Sequence, residues 1–222
     1  MIYFLLSIPC ACWFYRELYR FPIQINRQTY QDMQSLIALP FSLAELLQCS
    51  TLQAKNNPIN KILFILLPLV ALLFQQYPIT ILLMLFILSY LAILDYNYYL
   101  TDIRYIAYIF LFSIANLLFF DNLFLYEKLF CLFFCLGFFA LFIPLTKLIY
   151  KKEVFGLGDA ILLIAISPIF QMEQMLILLL TASLSGIFYY CIYWLIKKQK
   201  LIKLPFVPFI SFAVIVLLFV NN

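Results

Sequence analysis

The stretch from Ile79 to Leu94 carries no charge and closes on a single carboxylate, Asp95. Seven further apolar runs of similar make-up punctuate the chain, separated by short polar connections. Each run is too apolar for a soluble surface. At about 20 residues per crossing, 222 residues hold roughly eight membrane spans. With 67% hydrophobic residues and a mean hydropathy of +1.05, the expected fold is all-α, a polytopic membrane helical bundle. Four glycines and no alternating polar/apolar pattern argue against an outer-membrane barrel.

The pattern predicts spans over Met1–Tyr15, Ile62–Phe74, Ile79–Leu94, Ile103–Phe120, Leu129–Leu145, Ala160–Phe170, Met175–Ile196 and Pro205–Val220. Positive charge follows the first run instead of preceding it, so that run reads as an anchor with the N-terminus outside. Arg16–Lys61 is read as a cytoplasmic loop, with a short surface helix over Met33–Leu47. The domain organisation that follows is an anchor and loop over 1–61 and a membrane unit over 62–222. Of the 14 Lys and Arg, all but Lys128 fall in segments this alternation puts inside. The net charge of +4 sits in those short connections, which is a topology signal and no nucleic-acid footprint.

The chain contains no histidine. That removes histidine-activated serine or cysteine nucleophiles and His-Glu-x-x-His zinc sites. Of the six cysteines, five lie in apolar runs, where a thiol acts as a small hydrophobe, and no Cys-x-x-Cys pair occurs. Hydrolytic chemistry would therefore rest on carboxylates or lysine. Among the ten acids, Glu17, Asp32, Glu45, Asp121, Glu127, Glu153 and Glu173 belong to polar segments. Asp102 next to Arg104 reads as a surface pair or a helix cap.

Two acids remain. Asp95 ends one apolar run, and Asp159 starts another, in Phe155-Gly156-Leu157-Gly158-Asp159. Taken singly, each could be an interfacial acid or an N-cap. A carboxylate at membrane depth is nonetheless costly and is functional by default. Gly156 and Gly158 leave room for close approach beside Asp159. Both acids are expected on the cytoplasmic side. Together they form a dyad in which one member keeps a proton and the other activates water. Such a pair titrates as a unit, so base and acid are not assigned, and no metal or cofactor is required. An ion or proton path through Asp95 and Asp159 of a transporter or channel is the alternative, with a non-catalytic membrane subunit as a third reading. No convincing internal repeat supports the transporter.

The Gly-Leu-Gly-Asp run resembles the Gly-x-Gly-Asp motif of type IV prepilin peptidases. Asp95, after Ser89-Tyr90-Leu91-Ala92-Ile93-Leu94, resembles that family's first catalytic aspartate. Leu204-Pro205-Phe206-Val207-Pro208-Phe209 resembles its C-terminal Pro-Phe-Gly-Pro-Phe element, with Val207 at the glycine position. The resemblance implies a bacterial inner-membrane aspartic endopeptidase that cuts the leader of type IV prepilins or pseudopilins at the cytoplasmic face. It implies Asp95 and Asp159 as the catalytic pair and Gly156 and Gly158 as shaping the second aspartate's loop. Many bacterial members also carry two Cys-x-x-Cys pairs in the first loop and N-methylate the product. That loop here holds only Cys49, too little for a tetrahedral zinc site, so the expectation is a peptidase without the methyltransferase. Thr101-Asp102 stands where the family commonly has proline. The lysines of 147–152 and 197–203 are read as lipid-headgroup contacts, and tyrosines 96, 98, 99, 105 and 108 as an interfacial belt.

Overall fold

The computed structural model describes residues 2–36, 42–55, 57–120, 124–151, 155–198 and 203–220, and its described elements are all helical. The chain divides into two compact units, Met1–Leu69 and Val70–Asn222.

In the first unit, α1 spans Ile2–Leu36 without interruption. The sequence reading ended this helix at Tyr15, and the structure corrects it. Ser7, Ala11, Phe14, Leu18, Phe21 and Asn26 recur at helical spacing and are buried, so one packed face continues through the polar stretch. Arg16, Arg20 and Arg27 lie on the exposed side of that helix, with Arg20 3.5 Å from Glu17. Pro9 and Pro22 each forgo a backbone bond, yet the helix holds. Of the surface helix expected over 33–47, residues 33–36 belong to α1 and 43–47 to α2, Leu43–Cys49, with 37–41 outside the described residues. Ser42 and Glu45 start α2 with a reciprocal capping box. Asn26 donates to the Leu52 carbonyl and accepts from Ser50 Oγ, both at 2.9 Å, which ties α1 to the chain after α2. A 3₁₀ turn, Pro58–Ile62, leads into α3, Leu63–Leu73, within which the boundary between the units falls.

The second unit is built on α4, Ile79–Tyr98, which is buried along most of its length. It packs against α5, Ile103–Phe119, and α9, Val207–Val220. Thr80 Oγ1 bonds Asn116 Oδ1 at 3.1 Å across the α4–α5 seam. Ser211 Oγ donates to the Leu88 carbonyl at 3.2 Å across the α4–α9 seam. Tyr77 Oη donates to the Leu218 carbonyl at 2.6 Å, pinning the far end of α9. Around this core lie α6, Leu125–Tyr150, α7, Leu157–Ile166 followed by a 3₁₀ turn, and α8, Met172–Lys197.

Among the described residues, α4, α6 and α8 are long and apolar enough to cross a membrane. The other apolar helices of this unit are shorter, α7 most of all, because Pro168 and its 3₁₀ turn end it early. Lys128 belongs to the buried face of α6 with Cys131 and Cys135, not to the outer loop expected for it. The tyrosine belt is also only partial. Tyr96, Tyr99 and Tyr108 are exposed, but Tyr98 is buried and Tyr105 packs on Tyr90, ring centroids 4.7 Å apart.

Candidate active site

Asp95 was expected where its span ends, and the structure moves it inward by one turn. α4 continues to Tyr98, and Tyr99 closes it in the left-handed region at φ 53°, its N–H bonding the Asp95 carbonyl at 2.8 Å. The side chain of Asp95 is buried, at 6% exposure. Its Oδ2 accepts the backbone N–H of Val207 at 3.1 Å, and the N–H of Phe206 points to the same carboxylate. An unpartnered acid at this depth would be costly; backbone donors at a helix start offset that cost.

Asp159 sits in the first turn of α7, three residues after Gly156, the residue that caps the helix. It is half-buried, and Gly156 and Leu157 next to it are exposed. Gly156 has ordinary backbone angles, φ −63° and ψ 124°, so its role is to leave space. A Cβ there would lie 2.7 Å from Asp159 Oδ2. At Gly158 a Cβ would collide with the Thr101 hydroxyl and come within 3.2 Å of Thr101 Cβ. Gly158 thereby lets the start of α7 rest on the connection that follows the Asp95 helix.

These contacts explain how acids on different helices come together. α7 packs on α5 and α6, while α4 packs on α5 and α9. Asp95 lies one turn before the end of α4 and Asp159 in the first turn of α7, within electrostatic range of each other. Asp102, read as a surface pair or cap, is buried and caps α5: it accepts the Arg104 N–H at 3.0 Å, with the guanidinium 3.8 Å away. Glu153 lies outside the described residues.

Three residues noted in the sequence motifs had been given no role at the site. Thr101 fills the space beside Gly158. Val207 supplies a backbone donor. Phe155 stacks on Phe139 of α6, centroids 5.7 Å apart, and meets Phe206 edge-on at 6.1 Å. The available signals were the unused phenylalanine in front of the glycine motif and the threonine at a position where the resembling family has proline.

Residues 81–191, half of the chain, match the sequence model of the Type IV leader peptidase family. The chain belongs to this family. The matched region contains both Asp95 and Asp159 and stops short of the Leu204–Phe209 segment. Among characterised proteins, a "Prepilin leader peptidase/N-methyltransferase" of Haemophilus influenzae is 38% identical over 77 residues. That alignment covers 35% of this chain and 32% of the relative, so this member of the leader peptidase family matches about a third of its relative's length. No solved structure matches significantly.

Proposed function

We propose that the chain is a membrane aspartic endopeptidase that removes the leader from type IV prepilins or pseudopilins, with Asp95 and Asp159 as its catalytic pair. One observation carries this reading. Two carboxylates from separate helices, in a chain of the leader peptidase family, lie within electrostatic range of each other, one buried and held, the other half-buried beside exposed glycine backbone.

The chemistry needs only those two groups and water. The ionised aspartate takes a proton as the water oxygen bonds to the scissile carbonyl carbon. The protonated aspartate donates to the carbonyl oxygen, giving a neutral tetrahedral centre. The newly protonated aspartate then gives its proton to the amide nitrogen while its partner takes one from a hydroxyl of the tetrahedral centre, so the C–N bond breaks, the new carboxyl forms and the dyad again holds one proton. Gly156 gives the second aspartate its room, and Gly158 lets the start of its helix rest on Thr101.

A prepilin has a basic leader followed by an apolar helix that rests in the bilayer, so its scissile bond waits at the interface. The charge bias puts the dyad on the cytoplasmic side of the bacterial inner membrane, with lysine-rich connections against lipid headgroups. We assign the peptidase to 62–222 and the anchor and first loop to 1–61. The scarcity of loop cysteines supports a peptidase without methyltransferase activity. The test is to incubate the purified protein in detergent or liposomes with a prepilin and follow leader loss on a gel. A protein that leaves several prepilins and pseudopilins uncut, while a known leader peptidase cuts them, would overturn the reading.

A further inference from the structure

The segment Leu204–Phe209 lies outside the family match and has no part in the chemistry above. Its backbone opens α9. The Phe206 carbonyl accepts from Phe209 N at 3.0 Å and Ile210 N at 3.1 Å, so Phe206 occupies the capping position and Val207 is the first helical residue. A phenylalanine side chain cannot cap a helix, and Pro208, next in line, has no N–H. The Val207 N–H is the first-turn donor left over, and Asp95 Oδ2 accepts it. Asp95 therefore caps α9 from another helix.

The same segment also reaches the second acid. The Phe206 ring meets Phe155 at an interplanar angle of 74°, and Phe155 stacks on Phe139 at 22°. Phe155 directly precedes Gly156, whose Cα faces the Asp159 carboxylate. One short stretch thus holds Asp95 through its backbone and the Asp159 loop through a ring.

We propose that Leu204–Phe209 is a clasp that positions the dyad, with the Val207 N–H and the Phe155–Phe206 contact setting how the two carboxylates face each other. Its catalytic consequence rests on the peptidase reading; its geometry does not. Two carboxylates on rotatable side chains present a water productively only over a narrow range of separations. A displacement near 1 Å can cost about 10²-fold in rate. Val207 and Phe155 act through the aspartates and are positioning residues.

Two measurements test the clasp. The first is hydrogen–deuterium exchange of the 203–209 peptide, which needs no activity. Asp95→Ala is expected to release the amides of Phe206 and Val207, and Asp159→Ala to leave them protected. The second is kinetic. Val207→Pro deletes the donor at a helix position that suits proline, and exchanges one buried apolar side chain for another. It is expected to lower kcat about 10- to 100-fold with KM unchanged and to lower the thermal midpoint in detergent, because a buried acid loses a hydrogen bond. Phe155→Leu is expected to lower kcat in the same way and Phe155→Tyr, which keeps the ring, to recover most of it. Should Val207→Pro not fold, the Phe155 pair decides the kinetic arm. Wild-type kcat in Val207→Pro and Phe155→Leu would overturn the clasp, and so would equal exchange in Asp95→Ala and wild type. If the wild-type protein cuts no prepilin, the peptidase reading fails on its own, and the exchange result still decides the geometry.

Discussion

Val207 gives its backbone N–H to Asp95 Oδ2 across 112 positions of sequence, so the start of the last helix is completed by an acid from the central one. The bond makes the packing of α9 on α4 a condition for the orientation of Asp95. It also shows how an acid can sit at 6% exposure with a backbone N–H as its partner. Backbone donors do the work that a lysine or arginine would otherwise do, and they leave no side chain in the way of a substrate.

Replacing either acid by its amide removes one proton-transfer partner while keeping shape. Asp95→Asn and Asp159→Asn should each lower leader cleavage by about 10²- to 10⁴-fold or more, with expression and thermal midpoint near wild type. Single-turnover cleavage of a prepilin by gel or mass spectrometry measures this. Wild-type rates in either variant would remove that acid from the mechanism.

Gly158→Ala puts a methyl into Thr101, a side chain fixed between α4 and α5. It should cost about 1–3 kcal/mol of stability by overpacking, and activity should fall with it. Thr101→Ala in the same chain removes the colliding hydroxyl. The double variant should be more stable than Gly158→Ala alone, a coupling of about 1 kcal/mol or more in a double-mutant cycle. Additive effects would mean the two residues do not meet.

Gly156→Ala behaves differently, because the atom it meets at 2.7 Å is the end of the Asp159 side chain. That carboxylate can swing aside at little cost to the fold. The expected result is a thermal midpoint close to wild type and a kcat at least about tenfold lower, since the group that moves belongs to the proposed dyad. Separate measurement of kcat and KM distinguishes this from loss of binding.

Tyr77→Phe removes the 2.6 Å bond to the Leu218 carbonyl at the opposite end of α9 from Asp95. The loss should be about 0.5–1.5 kcal/mol, read as a lower thermal midpoint. Cleavage kinetics at a temperature where the protein stays folded should match wild type. A drop in kcat would mean that this end of α9 also governs the dyad.

A product formed in the presence of S-adenosylmethionine should carry an unmodified N-terminus. Intact mass spectrometry of the cleaved pilin reads the 14 Da that one methyl would add, about the mass of a CH₂ group. A methylated product would show that the single loop cysteine, Cys49, is no bar to that second activity.

Charge and hydropathy carried much of the architecture. Helix α9 begins within two residues of the boundary read from sequence, and α4, α6 and α8 were each anticipated, because an apolar run in lipid must satisfy its backbone internally. The same logic failed for α1. Its polar half is helical because a buried face at heptad-like spacing runs through it, and mean hydropathy hides such a face among the exposed arginines. It failed again for Asp95, which the end of the apolar run placed at the helix terminus, whereas Asn97 and Tyr98 are also buried and extend the helix past it.

The sequence by itself determined the helical membrane class, the absence of histidine chemistry, and which two acids stand at the edges of apolar runs. Those properties are local, since solvent preference and side-chain chemistry do not depend on the partner segment. Only the tertiary structure decided what surrounds Asp95 and Asp159: a backbone donor from the final helix, a glycine pressed on Thr101, and a phenylalanine that meets Phe206. Such contacts join positions far apart in the chain, and they arise from how helix ends are brought together, which no run of residues encodes alone.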